Sequence, residues 1–413
     1  MSQREWQVYK FGGTSMENAD ALKQVANLIT NSDSENLIVV VSAMSGMTDD
    51  LLKYSQTRDS KLLEEIESRY SSTIKDLLKD ESNQLSLLEA FREDIQTIKQ
   101  LVDQVDFNSL KVEDNQILGF GEIWSSKLLN AYLDSLGEVQ TSWLNPMDFL
   151  IIQNQEMGAN VNWSKSKNAF TDCIQGITGK VIMGGFIASD EDGNPTNLGR
   201  NGSDYSASII GSLSEADSVT IWTDVDGVLT GDPRVVARAR IIEQMTYEEA
   251  IELSYFGAEV IHPKTMAPLM HRNMPLYIRN TFNPDSQGTC ISSQIKNIRA
   301  VKGITTIKGI ALVNIEGTGM IGVPGIVNRL GNVLQEANIS VVLISQASSE
   351  HSICFAVRER DAQKAADVIQ EEFKSDFEND NLNKIQIEED CSILAIVGSG
   401  MTGTKGIAAR FFN

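Results

Sequence analysis

The chain has 413 residues, 41% apolar and 22% charged, a length for two or three domains and a composition that excludes disorder and fibrous repeats. Thirty-five Lys and Arg against 56 Asp and Glu leave a net charge of −21, and such a surface repels nucleic acid and anionic lipid at long range. Cys173, Cys290, Cys354 and Cys391 form no C-x-x-C pair, the histidines are His262, His271 and His351, and MSQREWQVYKFGG carries no apolar signal core, so neither a local zinc site nor a membrane span is expected, and a thiol-reduced cytoplasmic protein is.

In chain order, the apolar runs WQVYKF, LIVVVSA, KVIMGGF, SVTIWTD and LYIRNT alternate with helical stretches through the first 290 residues. That alternation predicts an α/β fold with a largely parallel sheet covered by helices. KFGGTS at 10–15 stands between the first run and helical ADALKQVANLI. Gly12 and Gly13 permit close backbone approach, a helix N-terminus suits phosphate oxygens, and Lys10 adds a fixed positive charge. The segment is not a Walker A loop, and on local grounds it fits a tight structural turn as well as a phosphate cradle. From about 50 to 105 the period becomes helical, with Ile66, Tyr70, Ile74, Leu77 and Leu78 on one stripe and Phe91, Ile95, Ile98, Leu101, Val102 and Val105 on another. This reads as a helical insertion.

DVDGVLT, directly after SVTIWT, matches the D-x-D-G loop of haloacid-dehalogenase phosphatases, with Asp224 as nucleophile and Asp226 as acid/base. The following MTYEEAIELSYFGAEVIHP is an amphipathic helix without the paired acids such an enzyme needs, and a calcium-loop reading lacks its terminal Glu. After Pro284 and Gly288 a polar connector leads to a smaller pattern. GIALVNI reads as a strand, VPGIVNRLGNVLQEAN as a helix, ISVVLIS and SICFAV as strands, DAQKAADVIQEEF as a helix and NKIQIEED as a strand, a βαββαβ module. GTGMIGVPGIVNRL (317–330) and GSGMTGTKGIAARF (398–411) share 7 of 14 residues at an offset of 81, an internal duplication whose second copy stops inside a helix. Each copy contains G-x-G-x-x-G (Gly317, Gly319, Gly322 and Gly398, Gly400, Gly403), but Ser345 and Gln346 stand where a dinucleotide site wants an acid. A ligand-sensing repeat is the expectation.

KFGGTS, VVSAMSGMTD (40–49), GFGEIWS (119–125), LGRNGSDYSA (198–207), TDVDGVLTGDPR (223–234) and SYFGAEVIHPKT (254–265) follow one another in this order, and together they resemble aspartate kinase over essentially the whole chain. The resemblance implies an αβα sandwich of the amino-acid-kinase type with a mainly parallel sheet over 1–293, its helical insertion at about 50–115. A connector at 294–308, a βαββαβ ACT regulatory module at 309–390 and the start of a second, truncated ACT module at 391–413 follow. It further implies transfer of phosphate from ATP, with Mg²⁺, to the side-chain carboxylate of L-aspartate, giving 4-phospho-L-aspartate on the route to lysine, threonine and methionine. The acceptor is already an anion, so no strong general base is required, and positive charge must offset the repulsion between carboxylate and polyphosphate.

By resemblance, the catalytic residues are Lys10, on the transferring phosphate, Arg200, and Asp204, which orders the site or its metal. Arg200 would grip the substrate α-carboxylate with two parallel N–H bonds and Glu122 would pair with the α-ammonium, joined by Ser42, Thr48, Phe186 and Ser203. ATP would be met by Lys10, Gly12, Gly13, Thr14, Ser15, Thr223, Asp224, Leu229, Arg234, Glu259 and Val260. Leu229 stands where many relatives have tyrosine, and Glu259 where many have lysine. No set of protein metal ligands is assigned. The effector would contact Met320, Ser340, Val341, Val342, Gln346, Ser349 and Glu350. Lysine-sensitive relatives carry N-I-S-V-D, and Val342 replaces that aspartate here, whereas Gln346 and its serine neighbours resemble threonine-sensitive bifunctional aspartokinase–homoserine dehydrogenases. Threonine is therefore the expected effector, a homodimer through ACT modules the expected assembly, and a longer bifunctional enzyme the expected parent. The alternatives are a phosphatase using Asp224 and a non-catalytic ACT amino-acid sensor.

Overall fold

Strands form where β-branched runs can be covered on both faces. The computed structural model describes residues 5–104, 113–155, 158–199, 201–256, 261–296, 298–346, 351–383 and 385–413, so the expectations for Arg200, Glu259, Val260, Ser349 and Glu350 lie outside the described residues. The chain divides into one unit of Met1–Gly303 with Gly398–Asn413 and a second of Ile304–Val397.

In the first unit β1 (Trp6–Phe11) leads through α1 (Ala19–Thr30) to β2 (Asn36–Val41), in which Leu37 to Val41 are wholly buried. The Asn18 side chain caps α1 by accepting the N–H groups of Asp20 and Ala21. Four helices follow, α2 (Met47–Thr57), α3 (Ser60–Leu77), α4 (Glu81–Gln104) and α5 (Glu113–Leu118), and then α6 (Phe120–Leu136) and β3 (Thr141–Trp143). Next come the hairpin β4 (Ile152–Gln155) and β5 (Gly158–Val161), α7 (Trp163–Ile174), β6 (Lys180–Gly184) and the hairpin β7 (Ile187–Ser189) and β8 (Pro195–Asn197). The unit continues with α8 (Gly202–Ser214), β9 (Ser218–Thr223), β10 (Gln244–Met245), α9 (Tyr247–Tyr255), α10 (Pro263–Met270), β11 (Leu276–Asn280) and β12 (Thr289–Ile291).

Eight strands make one sheet in the order β10-β12-β11-β9-β1-β2-β6-β3, parallel except for the β11–β12 pair. β1 lies between β9 and β2, with Lys10 opposite both Ile221 and Val40. The carboxyl ends of β2, β6, β9 and β11 therefore open on the same edge as the loop after Phe11, the position at which open α/β sheets bind ligands. Apart from Val105, which lies outside the described residues, the helical insertion forms as the two stripes require. Ile66, Tyr70 and Ile74 of α3 and Phe91, Ile95 and Ile98 of α4 share a core with Trp124 of α6. Tyr70 Oη donates to Trp124 O at 3.0 Å and Trp124 Nε1 to Asp94 at 2.9 Å, so the polar edges of these buried rings are paired.

The second unit runs β13 (Gly303–Glu316), α11 (Ile326–Glu336), β14 (Leu343–Gln346), β15 (Ser352–Arg358), α12 (Ala362–Glu372), the short α13 (Lys374–Glu378) and β16 (Gln386–Val397), with sheet order β14-β15-β13-β16. Leu330, Leu334, Phe355, Ile369 and Phe373 form its core. The strand read from NKIQIEED does not end at Asp390 but runs on to Val397, and left-handed residues at Gly309 (φ 67°) and Asp390 (φ 55°) divide each long strand in two. The first G-x-G closes a packing contact. A side-chain carbon at Gly317 would stand 2.3 Å from Asn381 O, and one at Gly319 2.5 Å from Asn381 Cβ.

After β16 the chain returns to the first unit and ends in α14 (Ile407–Phe412). Here a side-chain carbon at Gly398 would stand 2.3 Å from Ala300 O, as close as at Gly317, and one at Gly400 2.8 Å from Arg299 O. Lys302, just before one crossing between the units, and Ser399, just after the other, meet one carboxylate. Glu249 accepts Lys302 Nζ at 2.7 Å, Ser399 N–H at 2.8 Å and Thr246 N–H at 2.9 Å, the last completing a capping box on α9. Burial opposes its ionisation, but Lys302 and these N–H groups outweigh that and hold the carboxyl below its usual range. Among the described residues no helix is long and apolar enough to cross a membrane.

Candidate functional site

Lys10 stands one residue before the end of β1, ahead of the wholly buried Phe11, and is itself only 6% exposed. A buried ammonium needs a counter-charge, and Asp204, in the first turn of α8, forms an ion pair with it. The glycine loop lies against that lysine. A side-chain carbon at Gly12 would come 3.7 Å from Lys10 Nζ, and one at Gly13 3.4 Å from Ala43 O. Gly12 N–H is itself bound to Trp222 O at 3.2 Å, so the role of Gly12 is close approach, not donation from its own amide. Thr14 is half-buried beside it, and Ser15 is buried with its Oγ 2.7 Å from Thr281 Oγ1.

Gly13 also lines a cavity of about 690 Å³ in which the expected substrate contacts Ser42, Thr48, Glu122, Phe186 and Ser203 come together, with Asp49 beside them. Ser42 follows β2, Phe186 follows β6 and Ser203 begins α8, so parallel strand ends and one helix terminus gather them. Ser42 Oγ donates to Ser203 Oγ at 2.8 Å. Phe186 has φ 67°, a left-handed conformation costly for a side-chain-bearing residue, held by its N–H on Ser206 Oγ at 2.8 Å and its carbonyl under Leu198 N–H at 2.9 Å. The neighbouring glycines admit this geometry. At Gly185 a side-chain carbon would meet Ser203 Cβ at 2.7 Å, and at Gly202 the Phe186 ring at 2.6 Å.

Glu122 of α6 is 4% exposed, and its Oε2 has no hydrogen-bond partner. Burial pushes the carboxyl up to about 8, against the pull of the Ala43 N–H, its own N–H and the Lys10 charge. One oxygen of this buried acid, on the cavity wall, thus lacks a polar partner.

On the other side of β1, Thr223 ends β9 and its Oγ1 donates to Asp224 Oδ1 at 3.2 Å. Leu229 forms a bridge with Ile241. Arg234 is directed to Asp232 of its own loop, 2.9 Å away, with 88% of its side chain exposed, so it is not gathered into the cavity with the substrate group. Asp226, read as a possible phosphatase acid/base, instead accepts the amide N–H groups of Asn280 (2.7 Å) and Asn283 (3.0 Å). Among the described residues no three His, Cys, Asp or Glu converge on a metal position. Asp49, Asn280 and Thr281 were not singled out by the sequence, although the polar end of the otherwise alternating LYIRNT is a visible signal for the last two.

In the second unit Met320 is buried, Val341 and Val342 are half-buried, and Ser340 and Gln346 are exposed. Val342 N–H donates to Ala356 O at 2.8 Å, just before the edge strand β14.

Residues 5–280 match the model of the amino acid kinase family, and residues 313–373 match an ACT domain. The chain is 38% identical over 424 residues to bifunctional aspartokinase/homoserine dehydrogenase 1, chloroplastic, of Arabidopsis thaliana, covering 99% of this chain and 46% of that protein. It is 37% identical over 423 residues to the bifunctional aspartokinase/homoserine dehydrogenase of Haemophilus influenzae, over 98% of this chain and 51% of that one. The chain thus spans about half the length of the curated relatives it matches. The structure of E. coli aspartokinase III in complex with aspartate and ADP has the same fold, with a TM-score of 0.80 at 24% identity over 99% of this chain and 91% of that one.

Proposed function

The chain belongs to the amino acid kinase family, and on that premise we propose that it transfers the γ-phosphoryl group of ATP to the side-chain carboxylate of L-aspartate. Names of the relatives support the substrate. The observation that carries the reading is Glu122, a buried carboxyl with one unpartnered oxygen on the wall of a cavity that also reaches Gly13 of the lysine-glycine loop. It fits the α-ammonium of an amino acid, while Ser42, Thr48 and Ser203 offer hydroxyls to the rest. Arg200 is proposed as the grip on the α-carboxylate.

In the step a carboxylate oxygen forms a bond to the γ-phosphorus as the bond from that phosphorus to the bridging oxygen breaks. ADP keeps the electron pair, and no proton moves. Lys10 neutralises the transferring group, and Asp204 holds that ammonium in place. Thr223, Asp224 and the 229–234 loop are proposed to hold the nucleotide, with Glu259 and Val260. Mg²⁺ commonly binds through one or two carboxylates and substrate phosphates. Asp204, beside Lys10, would supply such a carboxylate, and the bound ion would spread the phosphate charge.

Threonine is the proposed effector, supported by an apolar Val342 and by Gln346 exposed at the end of β14. The edge position of β14, with Leu343 and Ile344 about half exposed, supports pairing with a second copy. A cytoplasmic location completes the proposal and rests on four unpaired thiols. The test is formation of acyl phosphate from ATP and aspartate, trapped as hydroxamate, with threonine and lysine each titrated. Hydrolysis of phosphate esters without hydroxamate would favour the phosphatase reading, and inhibition by lysine alone would refute threonine.

A further inference from the structure

The end of β11 binds the two loops that flank β1 on the ligand edge. Asn280, 9% exposed, uses its whole side chain. Its Nδ2 donates to Asp226 Oδ1 at 2.7 Å and to Asp224 O at 3.3 Å, and its Oδ1 accepts Phe282 N–H at 2.9 Å. Only an amide supplies donors and an acceptor in this arrangement. The next residue, Thr281, is wholly buried and turns to the other loop. Its Oγ1 is 2.7 Å from Ser15 Oγ, its carbonyl accepts Gln24 Nε2 at 3.0 Å, and its N–H donates to Thr223 O at 2.8 Å. One dipeptide therefore spans the D-x-D-G turn after β9 and the glycine loop after β1.

We propose that Asn280 and Thr281 are positioning residues for the nucleotide. They set the spacing between the loop that meets the phosphates and the loop that meets the rest of ATP. This rests on the nucleotide reading above. Neither residue needs to touch ATP: Asn280 acts through Asp224 and Asp226, and Thr281 through Ser15. It also gives Asp226 a task that needs no acid/base chemistry. As a hydrogen-bonded acceptor it fixes the turn from which Asp224 projects.

The test uses calorimetric titration of ADP into the full chain, with melting temperature measured in parallel. Asn280→Asp keeps the acceptor for Phe282 N–H but sets a carboxylate against Asp226, and ADP affinity is expected to fall ~10-fold, the size of a coupled-pair effect. Adding Asp226→Asn restores a donor to that contact, and affinity is expected to return to within ~3-fold of wild type. Thr281→Val removes the bond to Ser15 and is expected to weaken ADP ~5-fold. In turnover assays KM for ATP should rise while KM for aspartate holds, a split that general loosening would not produce. Unchanged ADP affinity in Asn280→Asp, or loss in the double variant no smaller than in the single, overturns the inference. Absence of ADP binding by the wild-type chain overturns it together with the nucleotide reading.

Discussion

Replacing Glu122 by Gln removes a charge that burial disfavours and that an amino-acid ammonium would use. In the free protein the carboxyl is held at about 8 against an ordinary 4.5, with burial the main cause. The folded state therefore binds this proton more tightly than the unfolded chain does. Its stabilising contribution is complete below the unfolded value, declines as pH rises, and is lost once pH passes about 8. At 1.36 kcal/mol per pH unit the full loss is about 5 kcal/mol, an upper bound for a group on a cavity wall. Glu122→Gln, neutral at every pH, should accordingly melt at a higher temperature than wild type near pH 8 and equally near pH 4.5.

Binding runs the other way. An ammonium pairs only with the ionised form, so the wild-type KM for aspartate should fall roughly tenfold from about pH 7 to about pH 9 as the competent fraction grows. The same profile for Glu122→Gln should be flat and higher, with KM for ATP unchanged in both. Initial rates of ADP release at varied aspartate and pH, together with melting curves, provide the measurement. A wild-type KM independent of pH over this range, or a Glu122→Gln variant that neither gains stability nor loses aspartate affinity, would refute the argument.

Lys10→Met should lower turnover by ~10²–10³, the scale for one electrostatic stabiliser, while leaving Asp204 without its partner; Lys10→Arg, longer and planar, should rescue little of it. Glu249→Ala strands the buried Lys302 ammonium and should cost about 3–5 kcal/mol in denaturant titration. Because the Glu249 carboxyl is depressed in the folded state, the stability it supplies is present above its unfolded value and disappears as pH falls through the lower, folded one. Gly317→Ala drives a methyl into Asn381 O and should lower the melting temperature, with no change in nucleotide binding measured by titration. Altered NAD or ATP affinity in that variant would reinstate the dinucleotide reading of G-x-G-x-x-G.

The parallel sheet and the helical insertion were legible in the residues themselves, as was a glycine loop directly after the first strand. Period-two and period-3.6 patterns are local, and runs such as LIVVV and the Ile66–Tyr70–Ile74 stripe state which faces must be covered. KFGGTS, with Lys10 before its glycines, marked the loop for the same reason, since glycine and a fixed charge carry their chemistry wherever they stand. Tertiary structure decided everything that depends on residues far apart in sequence becoming neighbours. It paired Lys10 with Asp204, withdrew water from Glu122 and so raised its pKa, and turned Arg234 toward Asp232. Packing alone showed that the paired glycines of both G-x-G segments serve backbone contact, and that Asp226 is held by Asn280. Sequence names the groups; their protonation, partners and accessibility follow from how the folded chain encloses them.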